Sequence, residues 1–248
     1  MPTKKQPSVP MGADAPILAV MSTMRAMRRL KPDPVPMDVL EQLVEAATWG
    51  PSGSNAQGYH FVVVTDREQI AKLADLWRVT CDYYLAGIAR AVPPGSTEEK
   101  HEKLRDALRY QRDHFAETPA VIVPCYDMGP YLSQLKKQGK QVASATKGLG
   151  PRRAAALAKN FRRFGEMGEA ASIYPGIQNL LLAARTLGLG ATMTTWHLFF
   201  EEEYKKVLGI PRRTKTFAII PVGYPVGNFG PVSRRPVADV MHLDRWTS

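Results

Sequence analysis

Cysteine is scarce in this chain, and long apolar runs are absent. Two cysteines among 248 residues, Cys81 and Cys125, are too few for a disulfide framework and favour a reducing compartment. We therefore expect a cytoplasmic protein. No run of about 18 apolar residues occurs, so nothing indicates a membrane-spanning helix. Residues 1–16 contain no apolar segment of signal-peptide length, and we interpret them as a flexible N-terminal arm.

Several motifs that would point to a particular chemistry are also missing. The five histidines show no metal-ligand spacing and the two cysteines are far apart, so we predict no metal site. Gly188-x-Gly190 follows a helix instead of a strand, and Met193 occupies the third glycine position. A helix C-cap therefore explains it better than a dinucleotide fingerprint. The chain has neither a complete Walker motif nor a Gly-x-Ser-x-Gly elbow.

Charge is strongly one-sided. The chain has 33 Lys and Arg against 23 Asp and Glu, a net charge of +10. The positive residues cluster at 136–147, 152–163 and 212–215. Few aromatic residues interleave with them and no nucleic-acid motif surrounds them, so a nucleic-acid partner is disfavoured. A solvated basic face is the ordinary explanation, and recruitment of an anionic dinucleotide is the functional alternative.

Helical and strand patterns alternate, but the strands are few for the length of the chain. Apolar residues at helical spacing, such as Leu40 with Leu43 and Ile177 with Leu180, indicate helices. The predicted helices are 17–28, 37–49, 69–91, 98–117, 173–187 and 201–208. The predicted strands are 60–65, 120–126, 191–195 and 216–223. Pro124 indicates that the second strand lies at a sheet edge or ends there. This pattern favours an α+β fold with one sheet wrapped by helices.

One segment departs from this pattern. Residues 127–165 are basic, contain several glycines and lack clean periodicity before Ala154. We interpret them as an insertion of loops and one helix in a single domain that spans residues 17–248. Long irregular loops in compact domains often act as functional lids. The insertion is therefore a candidate for a functional lid.

Two polar segments near the N-terminus are open to more than one interpretation. Arg25, Arg28 and Arg29 end the first predicted helix, where the helix dipole favours cations. A guanidinium group can also grip a phosphate with two hydrogen bonds. Residues 51–57 (Pro-Ser-Gly-Ser-Asn-Ala-Gln) are either an ordinary turn or a polar wall for a heteroaromatic ring.

The order of these motifs resembles the FMN-dependent nitroreductase family. The similarity runs through Arg25-x-x-Arg28-x-x-Lys31-Pro32 and Gly50-Pro51-Ser52-Gly53-Ser54-Asn55, then Gln178-Asn179-Leu180-Leu181 with Gly188-Leu189-Gly190, and closes with Pro221-Val222-Gly223 and Ser233-Arg234-Arg235-Pro236. It covers most of the chain, but not residues 1–16, and it is poor over 127–165. The resemblance implies a nitroreductase-like α+β fold with a central, mostly antiparallel sheet flanked by helices. It also implies an intertwined homodimer with FMN at the subunit interface.

The resemblance further implies which residues bind FMN. The phosphate would be held by Arg25, Arg28 and Arg234, with backbone groups of Ala26 and Met27. The other subunit would supply Pro51, Ser52, Ser54 and Asn55. Polar contacts to the ring would come from Gln111 and His114, and the segment along the flavin would be Met193, Thr194, Thr195 and Trp196. Members of the family often have Arg-Arg-Ser where this chain has Met24-Arg25-Ala26, so one arginine and one hydroxyl are missing.

The function implied by the resemblance is that of an NAD(P)H-dependent flavin oxidoreductase, in which the cofactor carries the chemistry. NADPH or NADH is the expected electron donor. A nitroaromatic, a quinone or a similar small electron-poor molecule is the expected acceptor, in a ping-pong hydride mechanism that needs no catalytic side chain. Two alternatives stay open. One is a reductive dehalogenase or another reductase on the same scaffold, and the other is a flavin-sequestering protein without turnover.

Overall fold

The computed structural model describes residue 12 and residues 14–246, so most of the predicted arm at 1–16 lies outside the described residues. The helices are α1 Ile17–Thr23, α2 Met37–Thr48, α3 Arg67–Ala86, α4 Glu98–His114, α5 Gly129–Lys137, α6 Gly139–Gly148, α7 Pro151–Thr186 and α8 Glu201–Leu208. The strands are β1 Tyr59–Val64, β2 Ala120–Tyr126, β3 Gly190–Ala191, β4 Lys215–Thr216 and β5 Ile220–Gly223. In the described residues no helix is both long and apolar enough to cross a membrane.

The strands form one sheet in the order β1-β2-β5-β3, with β4 also paired to β2. Every strand pair in it is antiparallel, which confirms the α+β prediction. Strand β2 is central and buried along its whole length, so the prediction that Pro124 marks an edge is wrong. On that side of β2, β5 pairs with residues 120–122 and β4 with residues 125–126. Pro124 faces the interruption between them, where its missing N–H leaves no ladder bond unmade.

Each face of the sheet carries its own hydrophobic core. Alternate residues of β2 point to opposite faces, so Ile122 joins one core while Val121 and Val123 join the other. Helices α2 and α7 cover the first face through apolar residues that include Leu40 and Leu180. The second face is covered by α3, α4 and α8, with residues such as Leu73, Trp77, Leu108 and Tyr204 buried there.

The first predicted helix, 17–28, is too long. Helix α1 ends at Thr23, and residues 24–29 run extended beside β3. The backbone N–H of Met27 donates to the carbonyl of Ala191 at 3.1 Å, and the N–H of Val226 donates to the carbonyl of Arg29 at 3.0 Å. These long-range backbone bonds replace the helical ones. The arginines therefore do not lie at a helix C-terminus.

The prediction of loops and one helix for residues 127–165 is wrong. The segment contains α5, α6 and the first half of α7, which begins at Pro151 and not at residue 173. Residues 152–159 are rich in Ala, Arg and Lys, all strong helix formers. This local propensity outweighs the lack of apolar periodicity. Helix α7 also passes through Pro175 without ending.

Other boundaries differ by less. The helices predicted at 69–91 and 98–117 end at Ala86 and His114. The strand predicted at 191–195 is reduced to Gly190–Ala191, and the strand predicted at 216–223 divides into β4 and β5. Both cysteines are buried and free, and burial raises the pKa of each thiol to about 12.

Candidate functional site

The extended segment 24–30 is fixed against β3 by hydrogen bonds and by close packing. Besides the Met27–Ala191 backbone bond, the Thr192 hydroxyl donates to the Met27 carbonyl at 2.9 Å. Gly190 is required here, because a Cβ on it would come within 2.9 Å of the Met27 Cβ and 2.8 Å of the Leu30 Cδ2. The contact holds the three arginines of the segment in place beside the sheet.

A basic cleft of about 400 Å³ opens over this segment. Its lining comprises residues 25–29 together with Lys103, Ala107 and Gly227. Four cations, three of them arginines, therefore border one opening. Arg25 donates to the Asn228 carbonyl at 2.9 Å, and the Lys103 ammonium pairs with Glu99 at 2.6 Å. Such a concentration of positive charge favours an anionic ligand.

Next to it lies a smaller inner cleft of about 120 Å³. Its lining comprises Arg28, Trp77, Leu108, Gln111 and residues 192–196. Arg28 lines both clefts, so the two openings adjoin at its side chain. The arrangement places a positively charged cleft beside one lined by aromatic and apolar side chains, with Arg28 between them.

Three side chains of the inner cleft have buried polar atoms without partners. Gln111 is 3% exposed, and neither atom of its amide makes a hydrogen bond. The Arg28 Nε and the Trp77 indole Nε1 are also buried without one. Burial lowers the pKa of the Arg28 guanidinium. A buried polar group left unsatisfied costs roughly 1–3 kcal/mol. Such groups call for an explanation, and a ligand with both donors and acceptors on its edge supplies one.

These residues fit FMN. Its phosphate is an anion suited to the cluster of cations, and guanidinium groups bind phosphate with two hydrogen bonds. The edge of its ring carries N–H and carbonyl groups that match the unsatisfied amide of Gln111. The apolar side chains of Trp77 and Leu108 suit the ring itself.

The segment 192–196 is held by a backbone hydrogen bond at Thr194 and by ring stacking at Trp196. The Thr194 N–H donates to the Ile219 carbonyl at 3.1 Å. The Trp196 ring stacks on Trp77, with centroids 5.7 Å apart and planes 10° apart, and on Tyr84 at 3.4 Å. These contacts define the inner wall of the inner cleft.

His197 lies directly behind this wall and is fully buried. Its Nε2 is 2.9 Å from the Thr216 hydroxyl, which itself donates to the Glu201 carboxylate at 2.8 Å. Burial lowers the pKa of His197 to about 4. The imidazole is therefore neutral at physiological pH, and it ties the segment to β4 without adding charge.

The Pro51–Gln57 segment is an exposed and strained loop. Ser54, Asn55 and Gln57 have positive φ values of 54°, 51° and 48°, which non-glycine residues rarely adopt. The loop is held at its base, where the Gly53 N–H donates to the Ser172 hydroxyl at 3.0 Å. Strain of this kind clusters at functional sites. The segment lines neither cleft of its own chain.

The structure brings together nine of the fifteen residues predicted to bind FMN: Arg25, Ala26, Met27, Arg28, Gln111, Met193, Thr194, Thr195 and Trp196. The other six line neither cleft: Pro51, Ser52, Ser54, Asn55, His114 and Arg234. His114 stacks on Tyr110 and lies 2.9 Å from a Glu117 carboxylate oxygen. Arg234 is exposed and donates to the carbonyl of Ser233.

Six lining residues were not predicted: Trp77, Lys103, Ala107, Leu108, Thr192 and Gly227. Arg29, which the sequence offered with Arg25 and Arg28 as a candidate for gripping a phosphate, also lines the basic cleft. For Lys103 and Ala107, the helical spacing in the sequence could have predicted their place in the lining. Lys103 and Ala107 precede Gln111 by eight and four residues in α4, so all three share one helix face. The contribution of Gly227 depends on a loop that no local pattern specifies.

Comparison with known proteins identifies the scaffold. The model of the Nitroreductase family matches residues 22–224. An NADH dehydrogenase of Thermus thermophilus is 27% identical over 88% of this chain and 90% of its own length. An iodotyrosine deiodinase of Danio rerio is 24% identical over 90% of this chain, which spans 65% of that protein.

Two solved structures show the same fold. The crystal structure of oxidized iodotyrosine deiodinase bound to FMN and 3-iodo-L-tyrosine superposes with a TM-score of 0.64 at 18% identity, over 93% of this chain and 100% of the other. A nitroreductase-like family protein from Bacillus cereus gives a TM-score of 0.58 at 19% identity, over 94% of this chain and 98% of the other.

Proposed function

This chain belongs to the nitroreductase family and is an oxidoreductase, and from that premise we propose that it is an FMN-dependent enzyme that uses NADPH or NADH to reduce small electron-poor acceptors. Nitroaromatics and quinones are the acceptor classes we propose first. The proposal includes a ping-pong order, in which the donor leaves before the acceptor binds at the same place.

The observation that supports FMN most strongly is the pairing of unmet polar atoms with a cluster of cations. The amide of Gln111 and the Nε of Arg28 are buried without partners; Gln111 lines the inner cleft and Arg28 lines both clefts. Burying them unsatisfied disfavours the folded chain. A ligand that carries a phosphate at one end and a hydrogen-bonding ring at the other would remove that cost.

In this proposal each group of residues has a separate task. Arg25, Arg28 and Lys103 hold the phosphate, Gln111 orients the ring edge, and the segment 192–196 supports the ring along its length. When bound, FMN would accept a hydride and pass electrons to the acceptor. Cationic and N–H groups nearby stabilise the negative charge of the reduced cofactor. No side chain of the clefts is required as an acid or a base.

We also propose a homodimer in which Pro51, Ser52, Ser54 and Asn55 reach the FMN site of the partner. The support is that this strained loop is hydrogen-bonded at its base and exposed, yet lies outside both clefts of its own chain. Backbone strain in an exposed loop is consistent with a contact outside the chain. On the same argument, Arg234 and His114 join the site only if the dimer or the bound cofactor draws them in.

The decisive experiment is the absorbance spectrum of the purified protein followed by an anaerobic titration with NADPH. We expect a flavin spectrum that bleaches on addition of about one equivalent of NADPH and returns with an acceptor. Protein that stays colourless after incubation with FMN would overturn the proposal. Protein that binds FMN but oxidises NAD(P)H no faster than free FMN would be a flavin-sequestering protein.

Two variants test the residues. Arg28→Met and Gln111→Leu should each weaken FMN binding by roughly 10- to 100-fold, because a hydrogen bond to a charged or buried group contributes about 1.5–3 kcal/mol. Their matched controls are Arg90→Met and Gln134→Leu, which change exposed side chains outside the clefts. Equal affinity in variant and control would remove Arg28 or Gln111 from the site.

Subunit mixing tests the contribution of the loop across the dimer. If Asn55 serves the partner's site and Arg28 serves its own, a hybrid of Asn55→Leu and Arg28→Met subunits contains one intact site. At an FMN concentration too low to load either variant alone, random mixing of the two variants should then recover about a quarter of wild-type activity. Recovery no greater than the sum of the separate variants would place both residues in the same site or leave the loop without a role.

A second candidate, reductive dehalogenation, is favoured by the match to iodotyrosine deiodinase in sequence and fold. Rates with nitroaromatics, quinones and halophenols, measured at equal concentrations with the same donor, distinguish the two activities. Halide release at a rate above nitro or quinone reduction would replace the first proposal with the second.

A further inference from the structure

Trp77 combines a large buried ring with an indole N–H that has no partner. The side chain lies in α3 and is 1% exposed, and its Nε1 makes no hydrogen bond. The indole nitrogen donates and cannot accept, so only an acceptor can satisfy it. Buried tryptophans usually find one. Since the described residues supply none to Trp77, the acceptor has to come from something else that occupies the space beside it.

Stacking fixes the plane of this ring. The Trp196 indole lies almost parallel to it, with centroids 5.7 Å apart and planes 10° apart. The Phe115 ring also packs against it, with centroids 5.8 Å apart. The indole cannot turn toward another acceptor without disrupting the core to which it belongs. The N–H is therefore a donor of fixed direction, and a preorganised donor lowers the entropy cost of binding a ligand.

The unpaired polar atoms of the inner cleft are complementary, but they do not bond to one another. Trp77, Arg28 and Gln111 line the same cleft, and the Gln111 Oε1 is able to accept from either of the other two side chains. Neither bond forms, and the Trp77 Nε1, the Arg28 Nε and both amide atoms of Gln111 stay without partners. The three side chains thus border a common space that a ligand can fill.

The balance of these atoms indicates the chemistry of that ligand. Trp77 and the Arg28 Nε offer donors only, whereas the Gln111 amide offers donors and one acceptor. The complementary edge has acceptors on both sides of one donor. The pyrimidine ring of a flavin has this edge, because its N3–H lies between the C2 and C4 carbonyls. A carboxylate would supply acceptors but no N–H for the Gln111 oxygen.

The size of the inner cleft limits how much of the flavin enters it. A cavity of about 150 Å³ holds one benzene molecule, so the inner cleft, at about 120 Å³, suits one ring and not three. Arg28 lines the basic cleft as well, whereas Trp77 lines the inner cleft alone. The C2 carbonyl is nearer to the ribityl phosphate than the C4 carbonyl. Arg28 is therefore matched to the C2 carbonyl and Trp77 to the C4 carbonyl.

We propose that the Trp77 indole N–H donates a hydrogen bond to the C4 carbonyl oxygen of FMN. The inference rests on the proposed function, because it assigns a further contact within the same cofactor site. Gln111 accepts from N3–H in this arrangement, and Arg28 donates to the C2 carbonyl. Trp77 is then a cofactor-binding residue that recognises the pyrimidine ring through its N–H, in addition to packing against it.

Carbon-13 NMR of bound FMN labelled at C2 and C4 tests this contact in the full-length protein. A carbonyl carbon resonates further downfield when its oxygen accepts a hydrogen bond. Trp77→Phe removes the N–H and keeps an aromatic ring. We expect the C4 resonance to move upfield in this variant while the C2 resonance stays in place. The affinity for FMN should fall by about 5- to 20-fold, because one buried hydrogen bond is lost.

Phe115→Leu is the matched control. Phe115 is buried against the same indole and lines neither cleft, so this variant loosens the packing around Trp77 but leaves its N–H. We expect it to keep the C4 resonance and the FMN affinity of the wild type. If Trp77→Phe does not fold, 3-benzothienylalanine at position 77 gives the same comparison, because its ring is nearly the size of indole and has no N–H.

The possible failures are distinguishable. Wild-type protein that takes up no FMN overturns the proposed function and this inference with it. Wild-type protein that binds FMN, with the same C4 resonance after loss of the Trp77 N–H, overturns this inference alone and assigns the N–H to a trapped water. An upfield shift at C2 in place of C4 also contradicts it. Equal shifts in Trp77→Phe and Phe115→Leu would reduce the role of Trp77 to packing.

Discussion

The two halves of α7 are made of one continuous helix but have opposite surroundings. Residues 151–168 contain no buried side chain, whereas residues 169–186 include Ile173, Ile177 and Leu180 in the core against the sheet. The first half forms from local helix propensity, and the second is required by tertiary packing. Helix formation by itself therefore does not tell which part of this protein is stabilised by burial.

Truncation of a leucine in each half should give the largest difference. Leu180→Ala removes a fully buried side chain and should destabilise the fold by about 2–5 kcal/mol through lost burial and a cavity. Leu157→Ala changes a side chain that is 46% exposed, and should alter stability by less than about 0.5 kcal/mol. Urea unfolding of the two variants measures the contrast. Similar losses in both would mean that residues 151–168 pack against another surface in solution.

Acid should weaken the core around His197. The pKa of His197 is about 4 in the folded chain and about 6.5 when unfolded, so protonation favours the unfolded state. Stability is thus full above about pH 6.5 and falls by about 3 kcal/mol as the pH drops to about 4. Urea unfolding at pH 7 and pH 4.5 tests this in the wild type and in His197→Gln. An equal acid loss in both would show that His197 is not the group responsible.

Adding a methyl group at one glycine of each half should give effects of opposite sign. A Cβ on Gly176 would come within 2.4 Å of the Ala47 carbonyl oxygen, whereas a Cβ on Gly165 meets nothing within 4 Å. Gly176→Ala should therefore destabilise by about 1–3 kcal/mol through overpacking. Gly165→Ala should stabilise by up to about 1 kcal/mol, because alanine favours the helix. Thermal melting of both variants checks the signs. A loss of stability in Gly165→Ala would contradict the open surroundings of Gly165.

The smallest expected effect concerns the electron donor. If the lysines of α5 and α6 contact the extra phosphate of NADPH, neutralising Lys136, Lys137 and Lys140 together should raise the KM for NADPH by several-fold and that for NADH much less. Steady-state kinetics with both donors measures the ratio. An equal rise in the KM for both donors would show that these three lysines do not contact the extra phosphate of NADPH.

The family resemblance predicted part of the lining of the candidate site. Arg25, Arg28, Gln111 and residues 193–196 were predicted to bind FMN, and all of them line the two clefts. Local reasoning failed for the same arginines: a helix was predicted through them, but long-range pairing of Met27 with Ala191 made the segment extended. Trp77 and Leu108 were not predicted as lining residues, because core residues and cleft residues have the same apolar pattern.

The sequence by itself determined the α+β class, most of the buried helix faces and the positive charge of residues 127–165, since these follow from periodicity and composition. Tertiary structure decided the rest. It placed Pro124 in the centre of the sheet, where a gap between β4 and β5 tolerates its missing N–H. It also left Gln111 and the Arg28 Nε buried without partners. Whether a polar atom is satisfied depends on every neighbour that the fold brings to it, and no local pattern contains that information.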